Sequence, residues 1–256
     1  MGETMKKLLF CLSAMLSLII LLLLPTNHTL AKENNKSAKD LAKEFVSNKE
    51  VINDLNENEQ QELENYVVTN HEKVLKKIEK KTDNNKQILK QTEALDKIWA
   101  DLSEDEQLAY IVYSTPVEFE KEETNLSLPK NSALSYNTLA ANKTNDFIST
   151  LTAKNVYGNT LFVYHTYNTW TYNGIKILSK SPGESYSIKS AGWRYLSKDV
   201  EAWTEYNDFD YFRNIEAFFE FSMAGYPFQH AEPHFKTKIR ANGDWSSTKW
   251  INSSWG

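Results

Sequence analysis

Three histidines have side chains that could bind a metal ion. His230 and His234 are four residues apart in QHAEPHF with Glu232 between them, and His165 lies on a predicted strand. Zinc accepts three imidazole nitrogens, but a metalloprotease helix needs its glutamate directly after the first histidine and no helix break. Because Pro233 interrupts any helix here, the pattern favours a polar loop and a sheet-face histidine over a metal site, and no cofactor is predicted.

Four glutamates are the candidates for acid–base chemistry, namely Glu201, Glu205, Glu216 and Glu220. Glycoside hydrolysis requires two carboxyl groups facing each other across a cleft, whereas Glu216 and Glu220 lie on the polar side of an alternating strand. No nucleophile elbow or phosphate-binding loop occurs, and Cys11 is the only cysteine. The sequence predicts a protein that is not an enzyme, with an extracellular hydrolase using a carboxylate pair or a histidine metal site as the alternative.

A basic hairpin near the end of the chain is the candidate binding surface. It reads FKTKIRANGDWSSTKW, residues 235–250, and its Asn242-Gly243 dipeptide predicts a two-residue turn. Such a turn pairs Arg240 with Trp245, Lys238 with Ser247 and Lys236 with Lys249. The opposite face would then carry Phe235, Ile239 and Trp250 toward the core.

The predicted outer surface of this hairpin combines cations with one aromatic ring. Its members are Lys236, Lys238, Arg240, Trp245 and Lys249. Such a surface could bind an anionic cell-wall polymer, a membrane surface or a surface glycan. Lysines on a terminal hairpin also prevent sheets from pairing edge to edge, and the sequence slightly favours this second interpretation.

The chain from Ser37 to Tyr113 has the pattern of a small helical bundle. It is free of glycine, and its apolar residues recur at helical intervals. One long stripe consists of Leu63, Tyr66, Val67, Val74 and Ile78. The other consists of Ile88, Leu95, Ile98, Trp99 and Leu102. Ser103 and Glu106 form a capping-box pattern that begins a third helix. Acidic and basic residues are interspersed there and the net charge is negative, so nucleic acid is not expected as a partner.

The composition changes after Asp146, where six of the seven tryptophans lie. TLFVYHTYNTWTY continues through Asn173-Gly174 into IKILS, which predicts a hairpin with Tyr172 opposite Ile175 and Trp170 opposite Ile177. RNIEAFFEFSM has the clearest alternation, with Ile215, Ala217, Phe219, Phe221 and Met223 pointing one way. The predicted fold class is therefore α+β, a small N-terminal helical bundle followed by an antiparallel β-sandwich.

The N-terminus has the three-part pattern of a secretory signal. Lys6 and Lys7 precede an apolar run over residues 8–24, and small residues follow at Thr29-Leu30-Ala31. We predict secretion with cleavage after Ala31, with an uncleaved membrane anchor as the alternative. The predicted domains are a signal peptide (1–31), a helical region (32–114), a linker (115–145) and a β-sandwich (146–256).

The β-sandwich region resembles a module of exported proteins from bacilli and related Gram-positive bacteria. The resemblance is carried by NVYGNTLFVYHTYNTWTYNGIKI, the FFEF strand and RANGDW. Most such proteins are uncharacterised, and some are similar to the geobacillin-type large bacteriocins. The resemblance implies an exported, non-enzymatic protein that acts on other cells or at the cell surface, and it supplies no functional residues. The expected function is binding or antagonism at a bacterial cell surface.

Overall fold

The computed structural model describes residues 36–84, 86–126 and 142–255. The predicted signal sequence and its cleavage site after Ala31 lie outside these residues. None of the helices in the described ranges combines the length and apolar composition that crossing a bilayer requires.

Among the residues that the structure describes, four α-helices come first, and their ends follow the local sequence. They are α1 (Ala38–Ser47), α2 (Glu57–Lys81), α3 (Ile88–Ile98) and α4 (Glu104–Tyr113). Short 3-10 turns occupy Lys49–Asn53 and Trp99–Asp101. The capping box that begins α4 is confirmed, because the Glu106 N–H donates to the Ser103 hydroxyl and the Glu106 carboxylate accepts from the Ser103 N–H at 2.8 Å. Helix α1 was not predicted.

Within the described ranges, eight antiparallel strands follow in two sheets of four. They are β1 (Pro116–Asn125), β2 (Lys143–Asn155), β3 (Thr160–Tyr172), β4 (Ile177–Ile188), β5 (Trp193–Glu205), β6 (Asp210–Met223), β7 (Tyr226–Arg240) and β8 (Trp245–Trp255). The first sheet has the order β1-β2-β3-β4 and the second β5-β6-β7-β8. The predicted α+β class, with helices before an antiparallel sandwich, is confirmed.

The predicted linker over residues 115–145 is wrong in part. Pro116–Asn125 is strand β1, which pairs with β2, and β2 already begins at Lys143. As an edge strand with mostly exposed, charged residues, β1 lacks the apolar alternation that would reveal a strand in the sequence. Residues 127–141 lie outside the described ranges.

One continuous core joins the helices to both sheets. Phe162 of β3 stacks on Phe219 of β6 with ring centroids 4.2 Å apart, so the sheets pack face to face. Helix α4 closes one end of the sandwich, where the Tyr110 ring stacks on Phe221. The buried Trp193 indole N–H donates to the Ser114 carbonyl at 3.0 Å. The described residues from Ser37 onward therefore form one compact unit.

Both Asn-Gly turns are longer than predicted. In the first, Tyr172 pairs with Ile177 rather than Ile175, and in the second, Ile239 rather than Arg240 pairs with Trp245. A two-residue type I′ turn needs positive φ at both central residues. Here only the glycine of each pair has it, with φ of 86° at Gly174 and 95° at Gly243.

The longer second turn changes which side chains share a face. The Arg240 N–H donates to the Asp244 carbonyl, and the Gly243 N–H donates to the Arg240 carbonyl. A register shift of one residue moves every side chain of the following strand to the opposite face of the sheet. The predicted pairs of β7 with β8 are consequently wrong, and Lys238 lies opposite Ser246 and Lys236 opposite Thr248.

Candidate functional site on the outer face of the second sheet

The outer face of the second sheet consists of alternate residues of its four strands, facing away from the first sheet. Before it continues to Arg194, Glu220 and His230, it carries Ser197, Asp199, Glu201, Trp203 and Glu205 from β5; Asp210, Phe212, Asn214, Glu216 and Phe218 from β6; Glu232, His234, Lys236, Lys238 and Arg240 from β7; and Ser246, Thr248, Trp250 and Asn252 from β8. We refer to these residues as the outer face. Alternation arises because successive side chains of a strand point to opposite sides of the sheet.

The structure divides the predicted basic surface between two faces. Lys236, Lys238 and Arg240 lie on the outer face as expected. Trp245 instead faces inward and stacks on Phe147 of β2, with ring centroids 3.9 Å apart.

Lys249 also faces inward, and this part of the prediction is likewise wrong. Its ammonium donates to the Glu122 carbonyl and to the Glu123 carboxylate, both at 3.0 Å, and so ties β8 to β1. The side chain is 7% exposed and contributes to packing of the two edges. Phe235 and Ile239 are buried as predicted.

The outer face is acidic rather than basic. Its carboxylates outnumber its cations six to three. Lys238 forms an ion pair with Asp210 at 2.7 Å, and Arg240 approaches the same carboxylate at 3.6 Å. Two of the three cations therefore lie against one carboxylate of the same face, and the excess of carboxylates leaves no basic patch for an anionic polymer.

Two stacked aromatic pairs lie on this face. Trp250, which the sequence placed in the core, stacks on His234 with ring centroids 4.7 Å apart and planes 4° apart. Trp203 stacks on Phe212 at 5.2 Å, and its indole N–H donates to Glu205 at 3.0 Å. Trp203 is 40% exposed, so a large part of its ring remains available to a ligand.

Two adjoining hollows mark the middle of the outer face, and Asp199 lines both. One has a volume of about 270 Å³ and is lined by Glu201, Glu216, His234 and Trp250 among others. The other, of about 380 Å³, is lined by residues that include His230 and Glu232. Of the four glutamates singled out in the sequence, Glu201 and Glu216 share a hollow, whereas Glu205 and Glu220 line neither.

The three predicted metal-binding histidines do not converge. His165 lies in the first sheet, where its Nδ1 is 2.9 Å from the Thr150 hydroxyl and burial lowers its pKa. His230 lies opposite Glu220 across β6 and β7.

His234 instead meets two carboxylates that the sequence did not associate with it as ligands. One ligand atom each from Glu216, Glu232 and His234 lie within 4.8 Å of one another. His234 is directly opposite Glu216, with Nε2 3.6 Å from Oε1. The spacing of Glu232 and His234 was visible in the sequence, but only the β6–β7 register brings Glu216 to them.

A further hollow, of about 510 Å³, lies between α3 and the β4–β5 edge. Its lining is largely apolar and includes Leu89, Tyr186 and Ile188. Two of its polar side chains are already bonded, because Thr92 accepts from the Gly192 N–H and Arg194 pairs with Asp96. We therefore base no functional assignment on this hollow.

Comparison with known proteins leaves the geometry as the basis for any functional assignment. No protein-family model, curated protein or solved structure matches this chain.

Proposed function

We propose that this protein is exported and binds a glycan at a bacterial cell surface through its outer face, without covalent chemistry. One observation carries the proposal: a hollow lined by carboxylates and an amide is bordered by the half-buried Trp250, and the exposed Trp203 lies on the same face. The pattern of Lys6, Lys7 and the following apolar run supports export.

Sugars have an apolar C–H surface and polar hydroxyl groups, and the outer face has aromatic rings and polar side chains that complement them. Their C–H faces pack against aromatic rings, which offer large apolar contact areas, and their hydroxyl groups donate to carboxylate oxygens and accept from amides. The first hollow supplies Glu201, Glu216 and Asn214 for such hydrogen bonds next to the Trp250 ring.

The charge of the face favours one of the partners that the sequence left open. Six carboxylates against three cations repel an anionic wall polymer or an anionic membrane surface. A neutral or amino-sugar polysaccharide meets no such repulsion, and a surface glycan is the partner that we propose. The resemblance to exported proteins of bacilli supports a bacterial target, and growth inhibition of related strains would distinguish an antagonist from an adhesin.

Removal of the half-buried Trp250 and the exposed Trp203 tests the proposal. We expect Trp250→Ala and Trp203→Ala each to weaken binding to purified, insoluble wall polysaccharide by about three- to tenfold, from loss of ring contacts worth about 0.5–1.5 kcal/mol. The measurement is cosedimentation of the full chain with the polysaccharide.

The matched control is Tyr167→Ala, which removes an aromatic ring from the first sheet, where the Tyr167 hydroxyl contacts Ser185. This variant should bind as the unmodified protein does. Equal loss in all three variants, or no loss in either tryptophan variant, would contradict glycan binding by the outer face.

A hydrolase remains the alternative, since Glu201 and Glu216 line one hollow. Paired carboxyl groups on either side of a bound sugar are the requirement for glycoside hydrolysis. Release of reducing ends from the same polysaccharide, abolished in Glu216→Gln, would identify this function in place of simple binding.

A further inference from the structure

We propose that Glu216, Glu232 and His234 bind one divalent transition-metal ion, with Zn²⁺ as the best fit. The inference goes beyond glycan binding and does not depend on it. Glu216 and His234 are directly opposite each other on the two central strands of the second sheet. Glu232 precedes His234 by two residues on β7, so its side chain is on the same face.

The separation of the three ligand atoms is close to what an ion requires. They lie within 4.8 Å of one another, whereas ligands at 2.0–2.2 Å from a tetrahedral zinc ion are about 3.4 Å apart. Rotation of the two glutamate side chains closes this difference. The backbone need not move, because the three residues are on paired strands.

The local charge balance is an independent reason to expect a cation. Glu216, Glu232 and the adjoining Asp199 have no lysine or arginine nitrogen at ion-pair distance among the residues that the structure describes. By contrast, Asp210 on the same face has two cationic partners. Carboxylates held close together without a counter-charge repel one another, and a bound cation relieves that repulsion.

The nearest cation along β7 does not fill this role. Lys236 holds its ammonium 5.2 Å from the centre of the Trp250 ring. Its position over the ring leaves the carboxylates of Glu216 and Glu232 without a lysine partner.

The donor set selects the kind of ion. One imidazole nitrogen with two carboxylates suits Zn²⁺, whereas Ca²⁺ and Mg²⁺ prefer oxygen ligands alone. Two carboxylates also neutralise the charge of a divalent ion. Because the cluster borders the two hollows, a fourth position on the ion stays open to water or to a ligand hydroxyl group.

The surroundings of His234 orient its ring but also limit the expected affinity. Trp250 stacks on the ring and fixes its plane. The Asn252 amide nitrogen lies 3.0 Å from Nε2 of His234, so a metal bound at Nε2 must replace that hydrogen bond. We expect a dissociation constant in the micromolar range rather than the much tighter binding of closed structural zinc sites.

Isothermal titration of the metal-free full chain with ZnCl₂ tests the site. One Zn²⁺ should bind per chain, and His234→Ala and Glu216→Gln should each weaken binding at least tenfold. Excess Mg²⁺ should not compete, and Zn²⁺ should raise the melting temperature of the unmodified protein but not of His234→Ala. Circular dichroism checks that each variant is folded.

Glu220 and His230, which lie directly opposite each other farther along β6 and β7, supply the control. His230→Ala and Glu220→Gln change a histidine and a glutamate in the same cross-strand relation, and both should bind Zn²⁺ as the unmodified protein does. Absence of stoichiometric binding, or equal loss in the control and cluster variants, would overturn the site. Glycan binding measured without metal is unaffected by either result, so the two proposals fail separately.

Discussion

At the scale of single residues, Gly243 decides which side chains the closing hairpin presents. Its φ of 95° lies in the left-handed region that side-chain-bearing residues rarely adopt. The Tyr172 hydroxyl also occupies the space where a Cβ would lie. The turn that begins at Arg240 therefore requires glycine for two separate reasons.

We predict that Gly243→Ala destabilises the protein more than Gly174→Ala does. Both replacements place alanine at positive φ, at about 1–2 kcal/mol. Only Gly243→Ala also meets the Tyr172 side chain, which adds about 1–3 kcal/mol for overpacking, whereas nothing lies within 4 Å of a Cβ at Gly174. Urea denaturation measures both free energies of unfolding, and equal losses would show that the close approach of Tyr172 is unimportant.

The fate of two tryptophans shows what the sequence could predict of the site. Alternation along a strand correctly placed Lys236, Lys238 and Arg240 on one face and Phe235 and Ile239 on the other. Trp245 was predicted on the surface but faces inward, and Trp250 was predicted in the core but lies on the outer face. Both errors arise because the placement of these residues depends on the number of residues in the turn. Asn-Gly is compatible with turns of different lengths, so this register was not determined by the local sequence.

At the scale of elements, register between strands assembles the candidate sites. Glu216 and His234 are far apart in the chain and meet because β6 and β7 pair in one particular register. The sequence revealed the alternation of β6 and the helical stripes of α2 and α3, since those patterns are local. It did not reveal β1, whose charged residues hide the strand period.

Helices α2 and α4 pack through a buried histidine that predicts a pH dependence of stability. The His71 ring stacks on Tyr113 with centroids 3.6 Å apart, and burial lowers the pKa of His71 to about 4. In the unfolded chain its pKa is near 6.5. Burial of neutral His71 contributes stability that is complete above pH 6.5. This stability is lost as the pH falls toward 4, because only the unfolded chain then binds the proton.

We expect His71→Phe to reduce the pH dependence of unfolding. The unmodified protein should lose about 2 kcal/mol from this residue between pH 7 and pH 5. The variant keeps an aromatic ring against Tyr113 and Tyr110 but cannot titrate. Chemical denaturation at the two pH values gives the difference, and an unchanged dependence in His71→Phe would contradict the assignment.

At the scale of the whole molecule, the helices and the sandwich share one core. The sequence predicted a change of composition near Asp146 and suggested separate modules joined by a linker. In the structure, the Tyr110 ring of α4 instead stacks on Phe221 of β6. The buried Trp193 indole N–H donates to the Ser114 carbonyl at the end of α4. Such contacts between distant segments are set by tertiary packing, for which a change in composition is no guide.

A shared core predicts one cooperative unfolding transition. Helical circular dichroism, which reports chiefly on α1–α4, and tryptophan fluorescence, which reports chiefly on the sandwich, should give coincident urea curves. Phe221→Ala should shift both curves together, with a loss of about 3–5 kcal/mol for a buried phenylalanine. Two separated transitions would show that the helices and the sandwich are independent.

Glycan binding by the outer face is the central claim, and nuclear magnetic resonance of the tryptophan indole N–H groups tests it most directly. Addition of soluble wall oligosaccharide should shift the signals of Trp203 and Trp250, assigned with their alanine variants. The signals of Trp170 and Trp193 should stay in place, because those N–H groups are bonded to carbonyls inside the core. Saturating oligosaccharide that leaves Trp203 and Trp250 unshifted would contradict the claim.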